Sequence, residues 1–99
     1  MLKKTDIITF LRTNRHLLKA KYNISSIALF GSFARDEQTK DSDVDLLVEF
    51  EPNTSNIFDN KIQLKAFLGS HFNRDVDLCR EKYIKPYARN YLEKEIIYV

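Results

Sequence analysis

Two aspartates stand two positions apart in the segment Asp43-Val44-Asp45-Leu46-Leu47-Val48, which is otherwise apolar enough for a buried strand. Because residues two apart on a strand point to the same face, the carboxylates of Asp43 and Asp45 should lie side by side, with their Cα atoms about 6–7 Å apart. Two carboxylates so placed lose solvation and repel each other, and a cation between them offsets both costs. Mg²⁺ is typically held by one or two carboxylates together with substrate phosphates. The pair therefore predicts a magnesium site.

A third carboxylate comes from Arg74-Asp75-Val76-Asp77-Leu78-Cys79, where acids again alternate with apolar residues. If this strand lies beside the Asp43–Asp45 strand, one of its acids completes a cluster of three. We favour Asp77, which stands between two apolar residues. Asp75 lies near the strand start, and we expect it to pair with Arg74 or Arg80 as an ordinary surface ion pair.

The segment Phe30-Gly31-Ser32-Phe33-Ala34-Arg35 has the composition of a phosphate-binding turn. Gly31 ends an apolar run, and its missing Cβ permits a tight turn and the close approach of a ligand. A helix beginning at Ser32 would present free backbone N–H groups and a favourable dipole to an anion. The Ser32 hydroxyl can donate to a phosphate oxygen, and Arg35 can neutralise phosphate charge or brace the acidic strand.

The elements that must position these residues follow from the apolar periodicity. The sequence predicts an α/β (α+β) domain with a small mixed sheet of three to four strands flanked by helices. A final apolar segment, 96–99, is expected to add an edge strand or to dock as a tail. The predicted helices are 5–22, a short one from 32, 57–72 and 86–94, and the predicted strands are 25–30, 43–50 and 74–79.

Composition limits the classes of function. The 99 residues suit a single domain, 1–99, and 43% of them are hydrophobic, which is enough for one core. The net charge of +2 does not indicate nucleic acid as a direct partner, although the first 22 residues are basic. No stretch approaches the roughly 20 apolar residues of a membrane span, and the N-terminus lacks the apolar run of a signal peptide. We expect a cytoplasmic protein with no membrane partner.

Together, Gly31-Ser32-Phe33-Ala34-Arg35 and Ser42-Asp43-Val44-Asp45-Leu46 resemble the signature of the polymerase-β-like nucleotidyltransferase superfamily. Their Ala-Arg and Ser-Asp-x-Asp-Leu forms are similar to the minimal nucleotidyltransferase (MNT) branch. The resemblance covers roughly residues 25–80. It departs from the common pattern at Asp36, where the family usually has glycine. Aspartate tolerates a positive φ better than most residues do, so the turn can still form.

The resemblance implies a polymerase-β-like fold and a role for each matching residue. Asp43, Asp45 and Asp77 would be the catalytic and metal-binding residues, with two Mg²⁺ ions; Asp77 would bind the second ion or act as base. Phosphate and nucleotide would be bound by Gly31, Ser32, Arg35 and Ser42. The reaction would be in-line transfer of a nucleoside monophosphate from a nucleoside triphosphate to a hydroxyl, with release of pyrophosphate.

The MNT branch further implies an antitoxin paired with a HEPN-domain toxin. ATP would be the substrate, and a tyrosine of the toxin would receive AMP. Four alternatives stay open. The chain could be a catalytically silent module that neutralises a toxin by occlusion, or a nucleotide-binding subunit of a larger transferase. It could also be a substrate-recognition subunit for a small molecule or nucleic acid, or a globular domain whose acids are merely solvated.

Overall fold

The computed structural model describes residues 1–99 and contains five helices and four strands. Their order is the predicted one, except that the first predicted helix is divided in two. The helices are α1 (Lys4–Thr13), α2 (Arg15–Tyr22), α3 (Gly31–Ala34), α4 (Ile57–Phe72) and α5 (Pro86–Leu92), with a 3₁₀ turn at Glu81–Tyr83. The strands are β1 (Ile24–Phe30), β2 (Val44–Phe50), β3 (Val76–Arg80) and β4 (Ile97–Tyr98). No helix has the length and apolar character that a membrane crossing requires.

The four strands form one mixed sheet in the order β3-β2-β1-β4. Strand β1 runs antiparallel to both β2 and β4, whereas β2 and β3 are parallel. The parallel pair needs a crossover connection, and α4 supplies it. The predicted mixed sheet is confirmed. The two acidic strands lie side by side, which is the condition on which a cluster of three acids depended.

One face of the sheet carries the hydrophobic core. Strand β2 buries its alternate residues Val44, Leu46 and Val48 completely, as the period of two predicts. Helices α1, α2 and α4 cover them with side chains at helical spacing, because residues three and four apart share a helix face. The buried helical residues are Ile7, Leu11, Leu18, Tyr22, Leu64, Leu68 and Phe72.

The predicted continuous helix 5–22 is wrong at one point, because the chain forms two helices that meet at Asn14. The backbone of Asn14 has φ −100° and ψ 17°, outside the regular helical range. Its side-chain amide donates a hydrogen bond of 2.8 Å to the carbonyl oxygen of Phe10. Asparagine side chains compete in this way with regular helix hydrogen bonding, which explains the break.

The other face of the sheet carries the acids. The side chains of Asp45, Leu47 and Glu49 alternate with the core residues of β2 and therefore point away from the core. Since β1 ends where its antiparallel neighbour β2 begins, the turn after Phe30 lies next to Asp45. This end of the sheet is where the candidate site forms.

Candidate functional site

Gly31 and Asp45 are in direct contact at the end of β1. Gly31 is buried and has φ +78°, and a Cβ atom added to it would lie 2.2 Å from Oδ2 of Asp45. Any other residue would both strain the backbone and displace the carboxylate. The tight turn predicted at Gly31 is therefore present, and the Asp45 carboxylate fills the space beside it. The close approach of a ligand stays a prediction.

The second contact joins the two acidic strands, because Asp45 of β2 is the register partner of Asp77 of β3. Asp45 is half-buried, whereas Asp77 is exposed, as is Asp43 just before β2. Burial raises the pKa of Asp45, and the neighbouring charges of Asp77 and Asp43 raise it further, while Arg35 opposes this. The structure thus brings the three predicted acids to one end of the sheet.

The chemistry of these donors fits Mg²⁺, which prefers carboxylate oxygens. Burial and the repulsion from the neighbouring acids together raise the Asp45 pKa, and a bound cation would offset both effects. No group of three His, Cys, Asp or Glu side chains converges into a ready-made metal-binding cluster. Phosphate oxygens and water would have to supply the remaining ligands, as is usual for Mg²⁺ in nucleotide sites.

The turn into α3 places Ser32, half-buried, directly after Gly31. The exposed Arg35 stands at the other end of α3, where its Nε donates to Glu37 Oε1 at 2.7 Å. Asp36 follows with φ +58°, so the positive φ anticipated at this departure from the family pattern is present. Lys4 of α1 forms an ion pair of 2.9 Å with Asp36, and the two residues together fasten this turn to the first helix.

Ser42 belongs to the turn that precedes Asp43. Its Oγ accepts a hydrogen bond of 2.8 Å from the backbone N–H of Thr39. Its carbonyl oxygen, like that of Thr39, accepts a bond of 2.9 Å from Nη1 of Arg74. The guanidinium of Arg74 also lies 5.4 Å from the ring centroid of Phe33 in α3. Ser42 therefore shapes the approach to Asp43, and its predicted contact with nucleotide stays a prediction.

The expectation that Asp75 pairs with Arg74 or Arg80 is wrong. Arg74 instead holds the two loop carbonyls, because its guanidinium points back across the sheet end, and Arg80 pairs with Glu49 at 2.8 Å. Asp75 contributes its backbone carbonyl, which accepts the Val44 N–H at 2.9 Å.

Sequence reasoning missed one residue at the turn altogether. Oε2 of Glu95 accepts hydrogen bonds of 2.8 Å from both the Gly31 N–H and Arg35 Nη1. Glu95 is 64 positions from Gly31, and no local pattern around it differs from an ordinary helix end. Its proximity to the apolar tail was the one available signal.

A groove of about 700 Å³ opens beside Asp43, between the loop at 40–43 and helix α4. Its volume lies in the range usual for small-molecule sites. Lys40, Lys65 and Arg74 bring positive charge to its walls.

Sequence comparison gives a consistent set of relatives. The model of the family described as nucleotidyltransferase domain matches residues 11–99. The putative protein adenylyltransferase MJ1379 of Methanocaldococcus jannaschii is 42% identical over 96 residues, covering 96% of each protein. The protein adenylyltransferase MntA of Thermococcus cleftensis is 31% identical over 99 residues, covering all of this chain and 98% of the relative.

Solved structures share the fold. A structure described as a putative minimal nucleotidyltransferase is 28% identical with a TM-score of 0.77, and the match covers 97% of this chain and 95% of that one. A toxin–antitoxin structure with AMP-PNP is 26% identical with a TM-score of 0.64, covering 98% and 72%. A tri-AMPylated Shewanella oneidensis HEPN toxin in complex with an MNT antitoxin gives 23% identity and a TM-score of 0.55, covering 96% and 66%, which shows the fold alone.

Proposed function

The chain belongs to the nucleotidyltransferase domain family, in the minimal branch related to MntA, and we propose that it transfers AMP from ATP to a tyrosine of a HEPN-domain toxin as that toxin's antitoxin. The observation that carries the proposal is the contact of Gly31 with Asp45, whose register partner is Asp77. A turn suited to phosphate thus adjoins a pair of carboxylates suited to magnesium.

In the proposed reaction Asp43 and Asp45 would hold Mg²⁺, and Asp77 would hold a second ion or act as base. Bound magnesium supplies positive charge to the attacking and leaving oxygens of an in-line displacement. Ser32 and Arg35 bind the phosphates, and Gly31, whose N–H donates to Glu95, forms the turn that presents them. The acceptor oxygen forms a bond to the α-phosphorus while the bond from that phosphorus to the pyrophosphate oxygen breaks. As base, the Asp77 carboxylate takes the acceptor's proton.

Two findings support adenine and a toxin partner. Relatives at 42% and 31% identity carry the name protein adenylyltransferase, and the relative at 26% identity is a toxin–antitoxin structure with AMP-PNP. The partner would supply the acceptor tyrosine beside the acidic end of the sheet.

The proposal is tested by incubating the chain with ATP, Mg²⁺ and a HEPN-domain toxin, and by measuring the toxin's mass and the modified residue by mass spectrometry. Wild type should add AMP to a tyrosine, and a toxin with that tyrosine changed to phenylalanine should stay unmodified. The Asp43→Asn/Asp45→Asn double variant should keep its circular dichroism spectrum and lose transfer. Undiminished transfer by that folded variant would refute the assigned metal role.

A second candidate, neutralisation by occlusion, is favoured by one observation. Tyr83, Tyr87 and Tyr91 are 69%, 76% and 77% exposed in and around α5, which suits contact with a protein. If occlusion alone suffices, the double aspartate variant will still protect cells from the toxin. If transfer is required, protection will be lost with it.

A further inference from the structure

The C-terminal part of the chain reaches the Gly31–Ser32 turn through one side chain, Glu95. Its Oε2 accepts two hydrogen bonds of 2.8 Å, one from the backbone N–H of Gly31 and one from Arg35 Nη1. Only 11% of the Glu95 side chain is exposed. A carboxylate so buried needs partners of this kind, because burial without them would be costly.

Glu95 is itself held from both sides. On the N-terminal side, the Glu95 N–H donates a hydrogen bond of 2.9 Å to the carbonyl oxygen of Leu92 at the end of α5. After it, Ile97 and Tyr98 form β4 and pair with β1, the strand that leads into Gly31. The N–H of Val99 extends this pairing to the Ile27 carbonyl, at 3.1 Å. The Glu95 carboxylate is therefore fixed relative to the end of β1.

The turn at Gly31 is confined by two acids. Asp45 fills the space that a Gly31 Cβ would take, while Glu95 holds the Gly31 N–H. The positive charge of Arg35 attracts both carboxylates: it favours the ionised form of Asp45 and pairs directly with Glu95. Glycine lacks a Cβ, so its backbone is less restrained than that of other residue types. The hydrogen bond to Glu95 helps to hold Gly31 at φ +78°.

We propose that Glu95 is a positioning residue of the nucleotide site. By holding the Gly31 N–H and the Arg35 guanidinium, it fixes the turn in the geometry that lets Ser32 and Arg35 bind phosphate. This inference rests on the proposed function. It connects the segment 95–99 to the nucleotide site, so that docking of β4 and nucleotide affinity are coupled.

The opposite role would be that of an internal anion which a phosphate must displace. The two roles predict opposite changes in nucleotide affinity when the carboxylate is removed. Removing a positioning carboxylate weakens nucleotide binding, whereas removing a competing carboxylate tightens it.

The test compares Glu95→Gln with Glu93→Gln by calorimetric titration of ATP in Mg²⁺. Glutamine keeps the size and one acceptor oxygen of Glu95 but loses the charge paired with Arg35. We expect affinity to fall about tenfold, the loss typical of one charge-assisted hydrogen bond. Glu93, an exposed partner of Arg89 at 3.6 Å, is the matched control and should bind as wild type does. Unchanged or tighter binding by Glu95→Gln would overturn the proposal.

Amide hydrogen exchange supplies a readout that does not need ATP. The Gly31 amide should exchange faster in Glu95→Gln than in wild type or Glu93→Gln, and equal rates in all three would contradict the positioning role. If wild type binds no ATP, the proposed function fails, while the exchange of Gly31 still decides the role of Glu95.

Exchange at the Val99 amide reports whether β4 stays docked. Should Glu95→Gln release β4, the shorter Glu95→Asp is measured in its place. It keeps the charge and withdraws it by one methylene, so ATP affinity should fall while Val99 stays protected. Wild-type affinity in that variant would count against the proposal.

Discussion

At the residue scale, Gly31 and Asp45 share a space too small for one additional methyl group. The sequence suggested a tight turn at Gly31 and a carboxylate at Asp45, each from its own local pattern. Their contact could not be predicted, because it depends on how the antiparallel β1–β2 pair is registered. The positive φ at Asp36 could be anticipated from the sequence, because related sequences usually have glycine at this position.

Replacing Gly31 by alanine should damage both the fold and the site. The backbone strain of a positive φ in a non-glycine residue costs about 1–3 kcal/mol, and the new Cβ must push Asp45 aside. We expect a lower free energy of unfolding in urea and loss of Mg²⁺-dependent ATP binding in calorimetry.

Gly69→Ala is the control for this change. Gly69 lies inside α4, where an added Cβ would be 3.2 Å from the Arg74 carbonyl oxygen and no positive φ is involved. The gain in helix propensity, up to about 1 kcal/mol, offsets that close contact, so ATP binding should be unchanged. Normal ATP binding by Gly31→Ala would contradict the account of this turn.

At the element scale, long periodic segments were predictable and their ends were less so. The predicted helix 57–72 agrees with α4, because its apolar side chains recur at helical spacing over four turns. The predicted strand 74–79 lies at Val76–Arg80, since the Arg74 side chain turns back to the 39–42 loop before the strand begins. Asn14 divides the first predicted helix through a side-chain hydrogen bond that periodicity does not report.

Strands β2 and β3 are joined on their exposed face by Glu49. Oε1 of Glu49 accepts from Arg80 Nη2 at 2.8 Å, and Oε2 accepts from the Lys82 N–H at 2.8 Å. Burial on its own would raise the Glu49 pKa. The hydrogen bonds and the charge of Arg80 outweigh burial, so the pKa lies below its ordinary value. The ionised form is therefore the one that stabilises the fold.

Glu49→Gln should lower the free energy of unfolding at neutral pH by about 1.5–3 kcal/mol, the range for hydrogen bonds to a charged group. Because the folded-state pKa is depressed, this stabilisation is complete above the ordinary glutamate pKa of about 4.3. It is lost as pH falls through the lower, folded-state pKa. Urea unfolding of both proteins as a function of pH should show the difference shrinking in acid.

Glu51→Gln is the control for that measurement. The Glu51 carboxylate pairs only with Lys19, at 3.7 Å, and the lysine side chain is largely exposed. Such exposed ion pairs contribute little to stability. Its unfolding free energy should stay close to wild type at every pH. A Glu49→Gln difference that does not change with pH would contradict the role given to the carboxylate.

At the scale of the whole molecule, the candidate site gathers side chains from four separate parts of the chain. The turn at 31–35, the start of β2, the start of β3 and the segment before β4 all meet at one end of the sheet. The fold class and the strands of the sheet could be predicted from local patterns. The roles of Glu95 and Arg74 could not be predicted, because their partners lie 64 and up to 35 positions away. Hydrogen bonds at such separations leave no periodic pattern in the sequence.

The central claim is that the aspartates at this end of the sheet bind ATP through Mg²⁺. Calorimetric titration of ATP, with and without Mg²⁺, tests it most directly on three proteins: wild type, Asp43→Asn/Asp45→Asn, and Asp41→Asn, which removes a neighbouring exposed charge. We predict Mg²⁺-dependent binding by wild type and by Asp41→Asn, and none by the folded double variant. Binding that is equal with and without Mg²⁺, or equal in the double variant and wild type, would contradict the claim.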